Sequence, residues 1–182
     1  MNANVKKLAI MGAGTFAGTL AGFAPAAAGV KQKAELAQKP NILFFLVDDL
    51  GWCDVGCFGS VFHETPNIDR LAQDGVRFTN AYSACHVSSP TRASIMTGRY
   101  PESIGLTDWL PGRKNWPFQR FLNAPVTQHL PFEEATIAET LRDNGYHTAI
   151  IGKWHLGKED ANPLAHGFDK HEIGRASCRE RV

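Results

Sequence analysis

Hydrophobic positions in this chain change period several times, and each change marks an element. Asn41-Ile42-Leu43-Phe44-Phe45-Leu46-Val47 is apolar without alternation, over about the length of one strand. Continuous hydrophobicity predicts a strand buried on both faces, as in a parallel α/β sheet. Thr65-Pro66-Asn67-Ile68-Asp69-Arg70-Leu71-Ala72 reads as a helix start, with Thr65 as cap, Pro66 first, and Ile68, Leu71 and Ala72 on one face. Gly75 ends that helix. Val76-Arg77-Phe78-Thr79-Asn80-Ala81-Tyr82 alternates and predicts a second strand. Residues 134–144 put Ile137, Ala138 and Leu141 on one helical face, with Gly145 as C-cap. Tyr146-His147-Thr148-Ala149-Ile150-Ile151 predicts a third strand. Between these elements, residues 101–131 are rich in Pro, Trp and Gly with little periodicity, and predict a long ordered loop of the kind that touches substrates. Trp109 and Trp116 in it are candidates for stacking on a sugar ring, with simple packing as the plainer alternative.

The chain's first stretch has another pattern. Lys6 and Lys7 precede an apolar, Gly- and Ala-rich run over residues 8–24, and Ala26-Ala27-Ala28 supplies small residues. That layout predicts a secretory signal peptide over 1–28, cleaved after Ala28, with an uncleaved anchor as the rival reading. Export to the periplasm or the exterior is expected either way. Residues 29–39 read as a polar linker.

Composition adds limits. Hydrophobic residues make up 43% and charged residues 20% of the 182, so the body is globular rather than disordered. A net charge of +1 gives no bulk attraction to nucleic acid, and no nucleic-acid partner is expected. Cys53, Cys57, Cys85 and Cys178 form no CxxC pair and no zinc pattern. Cys53 and Cys57 can bridge only if a turn brings their Cβ atoms together.

Chemistry-bearing residues gather at predicted strand ends. Asp48-Asp49 follow the first strand, where ligand sites of open α/β sheets lie. Adjacent carboxylates repel unless a cation or strong donors separate them; the pair is either a solvated turn or part of a metal site. Gly152-Lys153-Trp154-His155-Leu156-Gly157 follows the third strand, and a continued extended backbone would point Lys153 and His155 the same way. The second strand delivers the chain to Ser88-Ser89-Pro90-Thr91-Arg92-Ala93-Ser94-Ile95-Met96-Thr97-Gly98-Arg99. This stretch predicts a helix capped by Ser88 or Ser89, with Pro90 in its first turn and Gly98 at its end.

That last stretch resembles the sulfatase signature, in which Cys or Ser, any residue, Pro, a small residue and Arg precede a short helix ending in Thr-Gly-Arg. Together with Asp48-Asp49 and residues 152–157, it makes residues 40–168 resemble the type I sulfatases of the alkaline-phosphatase superfamily. The resemblance implies an α/β sandwich with a large mixed sheet between helices. It implies Ca2+ held by Asp48, Asp49 and residue 88, and formylglycine made from Ser88. It implies Arg92 as support for the formylglycine, Lys153 as a sulfate-binding residue and His155 as the group beside the formylglycine; in the chemistry these permit, the hydroxyl that does not attack loses its proton towards His155. A serine start implies a radical S-adenosylmethionine maturase as partner.

The expected activity is hydrolysis of a sulfate ester, with a sulfated polysaccharide as one candidate substrate. The alternatives are a phosphate or phosphonate ester hydrolase of the same superfamily and a non-catalytic protein that binds sulfated glycans. The family's later metal ligands, leaving-group acid and second sulfate-binding Lys fall beyond the chain, so the 182-residue piece is expected to be inactive by itself. Residues 40–171 are expected to be the N-terminal part of the catalytic domain. Residues 172–182 lack strand or helix logic, and one choice of codons for them spells a sequencing adapter; they are expected to be non-native.

Overall fold

The computed structural model describes residues 9–10 and 39–173. Most of the expected leader and linker, and the expected non-native segment from Gly174 on, lie outside the described residues. No helix among the described residues is long and apolar enough to cross a membrane. The chain divides into two compact units, Met1–Tyr82 and Ser83–Val182.

The first unit is built from two short 3-10 turns, Trp52–Asp54 and Gly56–Phe58, and helix α1, Pro66–Asp74. Strand β1, Ala9–Ile10, pairs in parallel with β2, Val76–Arg77. Asp69 ties the helix to the second turn. Its Oδ1 accepts from the Cys57 N–H at 2.6 Å and from the Thr65 hydroxyl at 3.1 Å. Thr65 is the N-cap residue of α1, yet its hydroxyl does not cap the helix: it takes the Gly56 N–H at 2.8 Å instead. A Cβ at position 56 would sit 2.5 Å from Asp69 Oδ2, so this approach requires glycine. The Arg77 guanidinium closes the group by donating to the Cys57 carbonyl and lying 5.5 Å from the Phe58 ring.

The second unit carries the core. Helix α2, Ser88–Thr97, contributes Ala93; the turn Pro101–Ile104 contributes Ile104; and Leu106, Leu130, Trp154 and Leu156 complete a buried cluster. Helix α3, Ile137–Asp143, opens with a reciprocal capping pair: Thr136 Oγ1 accepts from the Glu139 N–H at 3.1 Å, and Glu139 Oε2 accepts from the Thr136 N–H at 2.8 Å. The Thr136 hydroxyl also donates to the His166 carbonyl at 2.8 Å, joining α3 to the turn Pro163–His166. Strand β3, Ala149–Ile151, pairs in parallel with β4, Lys170–Glu172. Thr148 holds that pair's entrance through bonds with Asp169.

Several expectations change here. Residues 41–47 form no strand, and Ile42, Leu43, Phe44, Phe45, Leu46 and Val47 are between 37% and 69% exposed. A strand buried on both faces needs ladder partners and two covering layers, and among the described residues nothing supplies them. The second and third strands shorten to Val76–Arg77 and Ala149–Ile151 for the same reason. The expected large mixed sheet is present as two separate two-stranded ladders. β4 runs through Glu172, one residue into the segment expected to lack an element. Asn144 rather than Gly145 is the C-cap of α3, and Gly145 takes the left-handed φ of 79° just beyond it.

Two outcomes follow from this packing. With residues 42–47 exposed, the 182-residue chain should bind a hydrophobic reporter dye strongly and sediment as concentration-dependent assemblies. Dye emission at the buffer level from a monodisperse sample would contradict that. The second concerns His166, 1% exposed, stacked on Phe132 at 5.2 Å and in tilted contact with Trp154 at 5.6 Å. Burial lowers its pKa below the ordinary 6.5, with Glu139 opposing the shift and His129 adding to it. Above about pH 6.5 the ring is neutral folded and unfolded, and the stability is fully present. Below it the unfolded chain takes up a proton that the folded chain resists, so stability falls with pH. In the complete protein, the thermal midpoint should drop more steeply between about pH 7.5 and pH 5.5 in wild type than in His166→Phe. Parallel curves would remove His166 as the cause.

Candidate active site

Helix α2 begins with two serines whose side chains leave the helix end. Ser88 and Ser89 lie in the first turn after the N-cap residue Val87, and no side chain caps the helix. The expected serine cap is therefore absent, because both hydroxyls have partners elsewhere. Ser88 Oγ accepts from Arg92 Nε at 2.9 Å, one helical turn along. Ser89 Oγ accepts from the Leu110 N–H at 3.1 Å. The helix holds its shape by other means. Thr91 donates to the Cys85 carbonyl at 2.6 Å, Thr97 to the Ala93 carbonyl at 2.8 Å, and Gly98 takes φ of 69° as C-cap.

Arg92 is 7% exposed, and its second arm donates to the Lys153 carbonyl at 2.8 Å. One guanidinium thus joins the Ser88 hydroxyl to the segment after β3. A buried cation is tolerated only where its donors are matched, and a planar fork reaching two oxygens does that. An oxygen at position 88 that gains negative charge meets a donor already in place.

The segment after β3 alternates in burial. Trp154 is 4% and Leu156 0% exposed, while Lys153 and His155 are half-buried between them. Trp154 is anchored by its indole N–H, which donates to the Ala161 carbonyl at 2.9 Å. The alternation arises without an extended backbone: Gly152 has φ of 110° and His155 φ of 57°. A left-handed histidine is uncommon and costs on the order of 1–3 kcal/mol. Continued strand geometry was therefore the wrong basis for pairing Lys153 with His155. His155 Nε2 lies 2.9 Å from the Leu110 carbonyl oxygen, and its Nδ1 is buried with no partner among the described residues.

Asp48 and Asp49 belong to the first unit. They form an exposed turn in which Asp49 has φ of 55°. Their four carboxylate oxygens suit a hard cation, which takes about six to eight oxygens when it is calcium. No group of three or more His, Cys, Asp or Glu side chains that could hold a metal occurs among the described residues, so the pair is part of a shell at most. Cys53, Cys57 and Cys85 are free thiols in this structure, with no Cys53–Cys57 bridge. Burial raises the Cys57 pKa, and Asp69 adds to the rise, which makes that thiol a poor nucleophile. Trp109 and Trp116 both keep exposed faces, at 38% and 56%, and Trp116 stacks on Phe118 at 6.0 Å.

Of the predicted residues, the structure brings together Ser88, Arg92 and the Lys153 backbone, and links His155 to α2 through Leu110 and Ser89. Sequence reasoning missed Ser89 and Leu110. The doubled serine was a usable signal for the first. The second acts through its peptide group, which no side-chain pattern reveals.

Comparison with known proteins points to one family. The family model described as Sulfatase matches residues 40–182. Human steryl-sulfatase is 44% identical over 144 residues, covering 75% of this chain and 24% of that protein. Human N-acetylgalactosamine-6-sulfatase is 41% identical over 142 residues, covering 78% of this chain and 26% of that protein. The crystal structure of Ps i-CgsB matches with a TM-score of 0.63 at 40% identity, over 75% of this chain and 29% of that one. The same protein in complex with k-i-k-neocarrahexaose matches with a TM-score of 0.58 over 70% of this chain and 27% of that one. The chain spans about a quarter of the length of the curated relatives it matches. The fold is the α/β fold of the alkaline-phosphatase-like enzymes, present here in part. With its signature helix, its guanidinium-held serine and the match over residues 40–182, the chain belongs to the sulfatase family.

Proposed function

We propose that the complete protein hydrolyses a sulfate ester, using residue 88 as formylglycine. The observation that carries this is Arg92, buried and donating at once to Ser88 Oγ and to the Lys153 carbonyl. Formylglycine would supply, as its hydrate, two hydroxyls on one carbon, so that a sulfate ester on one could be resolved by elimination through the other, a route an unmodified serine lacks. Position 88 fits it, because a cationic donor already points at its oxygen. Asp48 and Asp49 would contribute oxygens to hold Ca2+, and the ion would supply charge neutralisation at the sulfuryl oxygens.

The chain's own groups have distinct tasks. Arg92 orients the oxygen at position 88 and offsets negative charge on it. Lys153 is assigned to the sulfate oxygens. His155 is the proton acceptor, with Nδ1 as its lone-pair nitrogen. A sulfated glycan is the substrate class favoured, supported by a relative whose structure holds a carrageenan-type oligosaccharide. The protein is exported to the periplasm or beyond, on the strength of residues 1–28, and is matured by a radical S-adenosylmethionine enzyme.

Ser88→Ala should lower sulfate release by about three orders of magnitude or more, with the thermal midpoint little changed. Mass spectrometry of the matured protein should find an aldehyde at position 88, lighter than serine by one H2. Ser88→Cys made with the oxygen-dependent converting enzyme should recover activity. A fully active preparation with unmodified Ser88 would overturn the mechanism in favour of a serine alkoxide, as in a phosphate ester hydrolase.

Asp49→Asn should reduce both bound calcium and turnover, each by about tenfold or more, because the site loses a formal charge. Unchanged calcium stoichiometry at limiting metal would remove Asp49 from the ligand set.

A further inference from the structure

Ser89 is fully buried, at 0% exposure, immediately after the residue assigned as nucleophile. A buried hydroxyl at this place has no role in the chemistry proposed above. Among the described residues its hydroxyl oxygen accepts from the Leu110 N–H, at 3.1 Å. The other face of the same residue is also committed: the Leu110 carbonyl oxygen lies 2.9 Å from His155 Nε2. A carbonyl oxygen only accepts, so Nε2 must carry the hydrogen. In a neutral ring, Nδ1 is then the lone-pair nitrogen. Nδ1 is the ring atom that is buried and lacks a partner among the described residues.

We propose that Ser89 is a positioning residue: by anchoring the backbone of Leu110 at its N–H it helps aim the Leu110 carbonyl, and so holds His155 in the Nε2–H tautomer, leaving Nδ1 as the proton-accepting atom. The inference rests on the sulfatase reading above for what Nδ1 does, and on the hydrogen-bond chain alone for which tautomer is held. Neither neighbour could do this otherwise. Leu110 is half-buried in a long loop, and the bond at its N–H removes freedom from the residue whose carbonyl, in the next peptide unit, meets the ring. His155 stands at a left-handed φ of 57°, so its ring position is not set by regular backbone. The Ser89 hydroxyl, one residue into α2, is the rigid end of the chain of bonds. Ser88 and Ser89 divide the work: one meets Arg92, the other orients the base.

The test uses the complete, matured protein and a chromogenic aryl sulfate. Ser89→Ala should lower kcat by about tenfold, the loss expected when one orienting hydrogen bond goes, with KM changed by less than about twofold. Ser89→Thr, which keeps a hydroxyl, should recover most of the rate. In a His155→Gln background, Ser89→Ala should have no further effect, because the residue it positions is gone. A second readout needs no turnover. With 15N-labelled histidine, the His155 resonances (assigned by their loss in His155→Gln) should report a protonated Nε2 and a bare Nδ1 in wild type. They should report a mixture of tautomers in Ser89→Ala. Ser89→Cys keeps the volume with a weak acceptor and serves if the alanine variant folds poorly; it should shift the tautomers in the same direction.

Wild-type kcat and an unmixed tautomer in Ser89→Ala or Ser89→Cys would overturn the proposal, as would an equal loss of rate in the His155→Gln background. A wild-type protein that releases no sulfate would sink the sulfatase reading instead, while the nitrogen resonances would still decide the role of Ser89.

Discussion

One buried cation holds this unit's functional parts in register. Arg92 is 7% exposed, and the desolvation of its guanidinium has to be offset by well-aligned acceptors. Two of them are the Ser88 hydroxyl on its own helix and the Lys153 carbonyl, which is 61 residues away in sequence. The bond to Ser88 is local and follows from the spacing of one helical turn. The bond to Lys153 is not local, and it fixes where the segment after β3 crosses the start of α2. Lysine could supply the charge at position 92 but not a planar fork with two directions. The geometry that stabilises the resting fold would also meet negative charge developing at position 88, so in the proposed reaction stability and function share one interaction.

The start of α2 does a second thing with the same economy. Consecutive residues of a helix are turned by about 100° from each other. Ser88 and Ser89 thus face different neighbours, and a doubled serine serves two directions where a single cap would serve one. The first reaches Arg92; the second reaches Leu110 and through it His155. Both lines end on one short segment, at Lys153 and His155. The residue between them, Trp154, is buried against Phe168 and His166 and tied to the Ala161 carbonyl. The functional residues hang from the core rather than from a mobile loop.

How much of this was legible in the sequence depends on where each signal lives. The helices were legible: α1 and α2 through local punctuation, Pro66 and Gly75 around the one and Gly98 after the other, and α3 through the spacing of Ile137, Ala138 and Leu141, although its Thr136–Glu139 cap went unread. Strands were legible in place at 76–77 and 149–151 but not in extent, because a strand is stable only with neighbours that sequence proximity does not provide. The run over residues 42–47 shows the difference: its apolar character states a need for burial, and its exposure shows that need unmet. The signature residues Ser88, Arg92, Lys153 and His155 were legible as types in a pattern. Their linkage was not, since two of its partners are backbone carbonyls, at Leu110 and Lys153, which any residue would present.

The wrong expectation about His155 is instructive for the same reason. Placing Lys153 and His155 on one side assumed that β3 continues, yet the chain leaves extended geometry at Gly152 and turns left-handed at His155. What keeps the two residues on the same footing is the burial of Trp154 and Leu156, whose apolar side chains are drawn into the core whatever the backbone does around them. Hydrophobic burial sets the alternation, and the backbone adopts an unusual φ to accommodate it, at a cost that one well-formed bond between His155 and Leu110 can largely offset. A site residue placed in this way is oriented by the packing of its neighbours more than by its own conformational preference. Substitutions at the core positions 154 and 156 are accordingly expected to reach the chemistry, even though neither side chain takes part in it.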